Sequence, residues 1–192
     1  MVSFDWLENN KMLGLLYLEE RLDKSDLTGR ILDNLNDGIE NDDVLKNHFD
    51  YCKRNKLQEC LPFALCEIVN EKRDDDVRNI SLDYLSELNE IRKIEEILPK
   101  VQDKFKWFVV ESLLNHESEY AHNYLKDILK NGSNEDQIKA STYLIKLNDL
   151  NGLKYYVEWV KKWKKVPETL LERLQDSSSI ESKFDWINTL SY

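Results

Sequence analysis

The sequence predicts an all-α fold of short antiparallel helical hairpins, and three observations carry that expectation. The 192-residue chain holds only five Gly and three Pro, too few turn formers for the closely spaced strands of an all-β chain. Apolar residues recur three and four apart in one segment after another, the spacing of a helix with one buried face. Polar breaks rich in Asp, Asn and Ser separate these segments, and these are the side chains that cap helix N-termini.

Each element follows from such a stripe and its break. Ser25-Asp26 precedes Leu27, Ile31, Leu32 and Leu35, and Asn41-Asp42-Asp43 opens a segment bearing Val44, Leu45, His48, Phe49 and Cys52. Leu57 to Val69 reads as an apolar helix with Pro62 near its start, where the missing N–H costs least. Asp74-Asp75-Asp76 places negative charge ahead of Val77, Ile80, Leu82, Tyr84, Leu85 and Leu88, facing the positive end of the helix dipole. Ser118 precedes Tyr120, Ala121, Tyr124, Leu125, Ile128 and Leu129, and Asn131-Gly132 ends that helix. Ser133 to Asp136 is a capping-box-like start to Ile138, Ala140, Tyr143, Leu144 and Leu147. Leu153, Tyr156, Val157 and Val160 form the next stripe, Pro167 opens another with Leu170, Leu171 and Leu174, and a last helix ends near Leu190. The count is about eleven helices of roughly 10–15 residues, with no strand.

A self-comparison finds a repeat. Leu88-Asn89-Glu90, Leu114-Asn115-His116 and Leu147-Asn148-Asp149 each end a helix with Leu-Asn and a polar residue. Six residues beyond each Leu stand Ile94, Tyr120 and Leu153, and ten beyond stand Leu98, Tyr124 and Val157. The repeating unit is a helix, a tight turn and a second helix, spaced 26 and 33 residues apart. Such a unit cannot bury its apolar face alone, so its neighbours must stack into an α-solenoid.

Residues 57–162 resemble HEAT-type (armadillo-like) helical repeats. Asp75-Asp76-Val77-Arg78 resembles that family's Asp-x-x-Val-Arg turn, and Asn134 to Ala140 is a weaker version in which Lys139 replaces the Arg. The repeats are shorter than the family's usual ~40–47 residues. The resemblance implies a scaffold or recognition surface. Residues 1–192 read as one helical-repeat domain, clearest over 57–162, with 1–56 and 166–192 as flanking helices. Phe4-Asp5-Trp6-Leu7 and Phe184-Asp185-Trp186-Ile187 place Trp-bearing apolar segments at the two ends, where capping repeats normally turn polar faces outward. That suggests a piece of a longer array, such as the sensor part of an NTP-driven switch protein of the NACHT-like type.

Chemistry-bearing motifs are sparse. Hydrophobic residues make up 41% of the chain, 20 of its residues are aromatic, and 33% are charged, with a formal net charge of −10. That charge opposes polyanion binding. Met12 to Leu18 is too short an apolar run to span a bilayer, which needs about 20 residues, so the expectation is a cytoplasmic protein without a membrane segment. Cys52, Cys60 and Cys66 lack CxxC spacing and read as free thiols. His48 and Cys52 share a helix face at i, i+4, half of a zinc site with no matching second half. The single His116-Glu117 pair follows a helix end, unlike the repeated His-Glu pairs by which the HEAT-like deoxyhypusine hydroxylases hold iron. No Gly-rich phosphate loop and no nucleophile elbow occurs, and the many paired carboxylates read as solvated turns. No catalytic, metal or cofactor site is therefore expected.

What remains is a surface for a protein or peptide partner. Tyr84, Trp107, Tyr143 and Tyr156 are candidate anchors, each with an equal alternative as core. Lys161, Lys162, Trp163, Lys164 and Lys165 interleave cation and aromatic; at a helix C-terminus the same lysines complement the dipole. The alternative reading is a nucleic-acid-binding protein similar to the alkylpurine DNA glycosylases built of HEAT-like repeats.

Overall fold

A computed structural model describes residues 23–102 and 104–163. All regular structure among the described residues is helical: nine α-helices and two short 3-10 turns, fewer than the eleven expected for the whole chain. The helices expected at Pro167 and near Leu190, and the Phe4–Leu7 and Phe184–Ile187 segments, lie outside the described residues. Among the described residues no helix is long and apolar enough to cross a membrane. The chain divides into two compact units at the Ser118–Glu119 junction.

The first unit contains α1 (Lys24–Asp37), α2 (Asp42–Asn55), α3 (Leu61–Ile68), α4 (Asp75–Glu87), α5 (Ile91–Ile97) and α6 (Lys106–Asn115). Caps set most of the starts. Asp23, two residues before the expected Ser25, accepts the Asp26 N–H at 2.8 Å and caps α1. Asn41 caps α2 and Asp74 caps α4. The helix expected from Leu57 begins instead as a 3-10 turn, Gln58–Cys60, and becomes α-helical at Leu61 with Pro62 in its first turn.

Helix α4 is the centre of this unit and packs against α2, α3, α5 and α6. Its residues Val77, Leu82, Tyr84 and Leu85 are buried, and the Tyr84 ring centroid lies 6.3 Å from that of Phe49 on α2. Arg73 clasps the turn ahead of α4. Its guanidinium reaches Glu67 and Asp42 at 2.8 Å each and the Ile39 carbonyl at 2.6 Å. Asp42 in turn accepts the Asp74 N–H at 3.2 Å, so the start of α2 and the start of α4 are held together.

The second unit contains α7 (Glu119–Asn131), α8 (Asn134–Lys146) and α9 (Leu150–Trp163). Helix α8 packs against both others, and Ala121, Leu125, Ile128, Ala140, Leu144, Leu153, Tyr156 and Val157 form the core. Ser133 caps α8 by accepting the Asp136 N–H. Gly152 sits where α9 crosses α8: a Cβ there would lie 2.5 Å from Leu144 Cβ and 2.8 Å from the Ser141 carbonyl oxygen. The glycine is the condition for the crossing distance.

The repeat is present, in a register different from the expected one. Lys56, Asn89, Glu117 and Asn148 all have φ between 54° and 60°, the left-handed region. Each donates its N–H three residues back, and the next residue donates five residues back, to Cys52, Leu85, Leu113 and Leu144. That hydrogen-bond pair is the Schellman motif, which satisfies the last carbonyls of a helix. The four turns fall 33, 28 and 31 residues apart. At 89 and 148 they coincide with the Leu-Asn signature. At 114 they do not: Asn115 is still helical, and Glu117 takes the left-handed position two residues later.

Three of these helices also start in register. The capping residues Asn41, Asp74 and Ser133 each stand 15 residues before their left-handed residue. Helix α6 has no side-chain cap and is a turn shorter, at ten residues. Within the shared register, Arg78 corresponds to Gln137, not to Lys139. The Lys139 side chain is exposed, whereas Gln137 is the residue four beyond the cap and reaches back to the preceding helix.

Candidate interaction surface

The expected anchors separate into core and surface. Tyr84, Trp107 and Tyr156 are buried and belong to the packed interior. Tyr84 lies beside the turn that follows α2 and donates its hydroxyl to the Leu57 carbonyl, which satisfies the one polar atom its burial would otherwise strand. Tyr143 is half-buried on α8, with the Lys146 ammonium 4.8 Å from its ring centroid. Lys162 is exposed on the last described turn of α9, while the side chains of Lys161 and Trp163, and all of Lys164 and Lys165, lie outside the described residues.

The large apolar side chains that do face solvent are different ones. Phe108 on α6 is 46% exposed, Tyr120 on α7 43%, Leu147 after α8 40% and Leu150 at the start of α9 61%. Leu147 and Leu150 flank the left-handed Asn148, and the turn that carries them is braced from both sides. Asp149 Oδ1 accepts the Asn151 N–H at 2.8 Å and the Asn151 amide at 2.9 Å. Its Oδ2 meets His122 Nε2 at 2.7 Å and Lys126 Nζ at 3.2 Å, both from α7. Burial alone would raise the Asp149 carboxyl, but the Asn151 N–H, His122 and Lys126 together hold it down at about 2. All four of its acceptor directions are used, so Asp149 is a cap and brace with no lone pair left for substrate.

His48 is likewise committed to internal hydrogen bonds. His48 is buried, which holds its pKa below the ordinary value. Its Nδ1 lies 2.8 Å from the Val44 carbonyl and must carry the hydrogen, so Nε2 accepts from the Asn34 amide at 3.1 Å. With both ring nitrogens engaged, the His48–Cys52 pair offers a metal one sulfur and no imidazole lone pair. Among the described residues no group of three or more His, Cys, Asp or Glu is placed to hold a metal ion. His116 and Glu117 are exposed turn residues. Cys52, Cys60 and Cys66 are free thiols, the first two buried and the third exposed.

Two features escaped the sequence reading. Tyr51, Tyr84 and Tyr143 each stand five residues before a left-handed residue. Aligning whole helices, and not only their Leu-Asn ends, would have found them. The four exposed apolar residues had no such signal: Tyr120 and Leu147 sit within stripes that read as core, and Phe108 and Leu150 belong to no stripe that the spacing marks. A comparison with protein-family models, curated proteins and solved structures finds no match to this chain.

Proposed function

We propose that the chain is a non-catalytic protein-binding module of HEAT-like helical pairs, stacked as an α-solenoid. The observation that carries this reading is the recurrent helix-plus-Schellman-turn unit, four times at intervals near 30 residues. In the first unit α4 packs against both α2 and α6, so the helices that precede successive Schellman turns lie side by side, as stacked pairs require. Commitment of Asp149 and His48 to internal hydrogen bonds fits a role in presenting surface more than in proton transfer.

Tyr120, Leu147 and Leu150, all of the second unit, are the proposed anchors for a protein segment, since a few side chains carry most of the energy of an interface. The test is affinity capture with the full chain at low and moderate salt, followed by Tyr120→Asp and Leu150→Asp variants checked for unchanged helicity. A protein retained at both salts and released by either variant supports the proposal. Nucleic acid held only at low salt, or a bound protein indifferent to both variants, counts against it.

A further inference from the structure

Building on the protein-binding role proposed above, we infer that Leu147 and Leu150 receive an acidic segment of the partner protein. Its apolar side chains lie on the two leucines and its carboxylates against Lys146 and Lys154. The whole surface belongs to the second unit, over the turn from α8 into α9. Leu147 is 40% and Leu150 61% exposed, on either side of the left-handed Asn148. Lys146 stands directly before Leu147, Lys154 follows Leu150 by one helical turn, and both lysines are exposed. The turn is formed before any partner arrives. The Schellman hydrogen bonds of Asn148 and Asp149, the Asp149 brace and the close crossing at Gly152 all fix it, which lowers the ordering cost of binding.

Charge selects what can cover this apolar pair. The chain carries a formal net charge of −10, yet from Lys146 to Lys154 its only charged residues are the two lysines and Asp149. The Asp149 side chain is 10% exposed, its oxygens are taken by Asn151, His122 and Lys126, and Lys126 offsets its charge. The turn therefore presents two leucines and two ammonium groups to solvent. Lys146 lies 4.8 Å from the Tyr143 ring centroid, a contact that leaves its charge in place. Lys154 has no carboxylate partner among the described residues. Glu158, one turn past Lys154, ends the positive patch along α9. An acidic segment meets opposite charge on both sides of the leucines, whereas a basic one meets like charge at both. Nucleic acid fits poorly, because two lysines neutralise little of a phosphate backbone and leucine offers bases no stacking face.

The experiment uses the full chain and a fluorescent amphipathic peptide of about five helical turns, with leucine on one face and glutamate on the other. A twin peptide carries lysine in place of every glutamate. Fluorescence anisotropy at moderate salt should show the glutamate peptide bound about tenfold tighter than its twin. Leu150→Asp should remove that binding, and Lys146→Glu combined with Lys154→Glu should reverse the preference between the twins. Circular dichroism checks that each variant keeps its helicity. Equal binding of the twins, binding of neither, or a preference unchanged in the double variant would overturn the acidic assignment. So would a concentration-dependent dimer of the chain that Leu150→Asp dissolves, since a second copy would then occupy the patch. The protein-binding role fails separately: it stands if affinity capture retains a protein that Leu150→Asp releases, even where the twins bind alike.

Discussion

Arg78 and Gln137 occupy the same place in two helices of different units, four residues after the capping Asp74 and Ser133. Each sends a side-chain N–H back to a carbonyl of the preceding helix: Arg78 Nε to Ile68 at 2.9 Å, and Gln137 Nε2 to Leu129 at 3.1 Å. The last carbonyls of a helix lack intrahelical partners, and here the next helix supplies one. Around Arg78 the solution is costly in charge and strongly compensated. Its guanidinium is 1% exposed, sits 4.1 Å from the Phe105 ring centroid and lies 3.6 Å from Asp75. Gln137 needs no counter-charge, and the Tyr155 hydroxyl donates to its Oε1.

Arg78→Ala should therefore destabilise the first unit by about 2–4 kcal/mol, through a stranded Ile68 carbonyl and a cavity against Phe105. Gln137→Ala should cost less, about 1 kcal/mol, because a neutral hydrogen bond is lost. Urea titration of both variants checks the order. Equal losses would mean that the two positions are not doing the same job at different cost.

The left-handed turns predict a gain from glycine. Lys56→Gly and Glu117→Gly remove a Cβ from a conformation that penalises it, and each should raise stability by about 0.5–1 kcal/mol. Asn89→Gly and Asn148→Gly should gain less, since Asn tolerates this region better. Thermal midpoints of the four variants test this, and a fall for Lys56→Gly would show that its turn is not left-handed in solution.

Gly152→Ala carries the opposite sign. An added methyl would meet Leu144 Cβ and the Ser141 carbonyl closer than contact distance, and the obstacle includes backbone that cannot rotate away. Forcing α8 and α9 apart should cost about 1–3 kcal/mol. Hydrogen exchange across α8 and α9 reports it locally, and unchanged protection there would refute the close crossing.

His48 makes the first unit sensitive to mild acid. Burial holds its pKa below the ordinary imidazole value, so the unfolded chain binds a proton that the folded chain refuses. Stability should be complete above about pH 6.5 and fall as pH drops through that value toward the folded pKa. Denaturation midpoints at pH 7.5 and 5.5 should differ in the wild type, and the difference should shrink in His48→Gln. An identical pH response in the variant would assign the effect to another group.

Asp149 works in a more acidic window. Its folded pKa of about 2 lies below the ordinary aspartate value, so its contribution is present above about pH 4 and lost as pH falls through 2. The difference corresponds to roughly 2–3 kcal/mol. Asp149→Asn keeps the Asn151 N–H partner but drops the charge, and should flatten acid unfolding of the second unit between pH 4 and 2. Circular dichroism along an acid titration would show whether the curve keeps its wild-type shape.

The sequence by itself determined the helical class, most element starts and the existence of a repeat. These follow from apolar spacing and from local hydrogen bonds between a capping side chain and N–H groups two or three residues away, all written in adjacent residues. Asn41, Asp74 and Ser133 were legible for that reason. Tertiary structure decided the register at Glu117, the equivalence of Arg78 with Gln137, and which aromatics face solvent. Tyr84, Trp107 and Tyr143 lie on similar stripes, yet two are buried and one is half-exposed, because burial depends on which helices arrive on each side. Helix α4 packs against α2, α3, α5 and α6, whereas within the second unit α8 packs against α7 and α9.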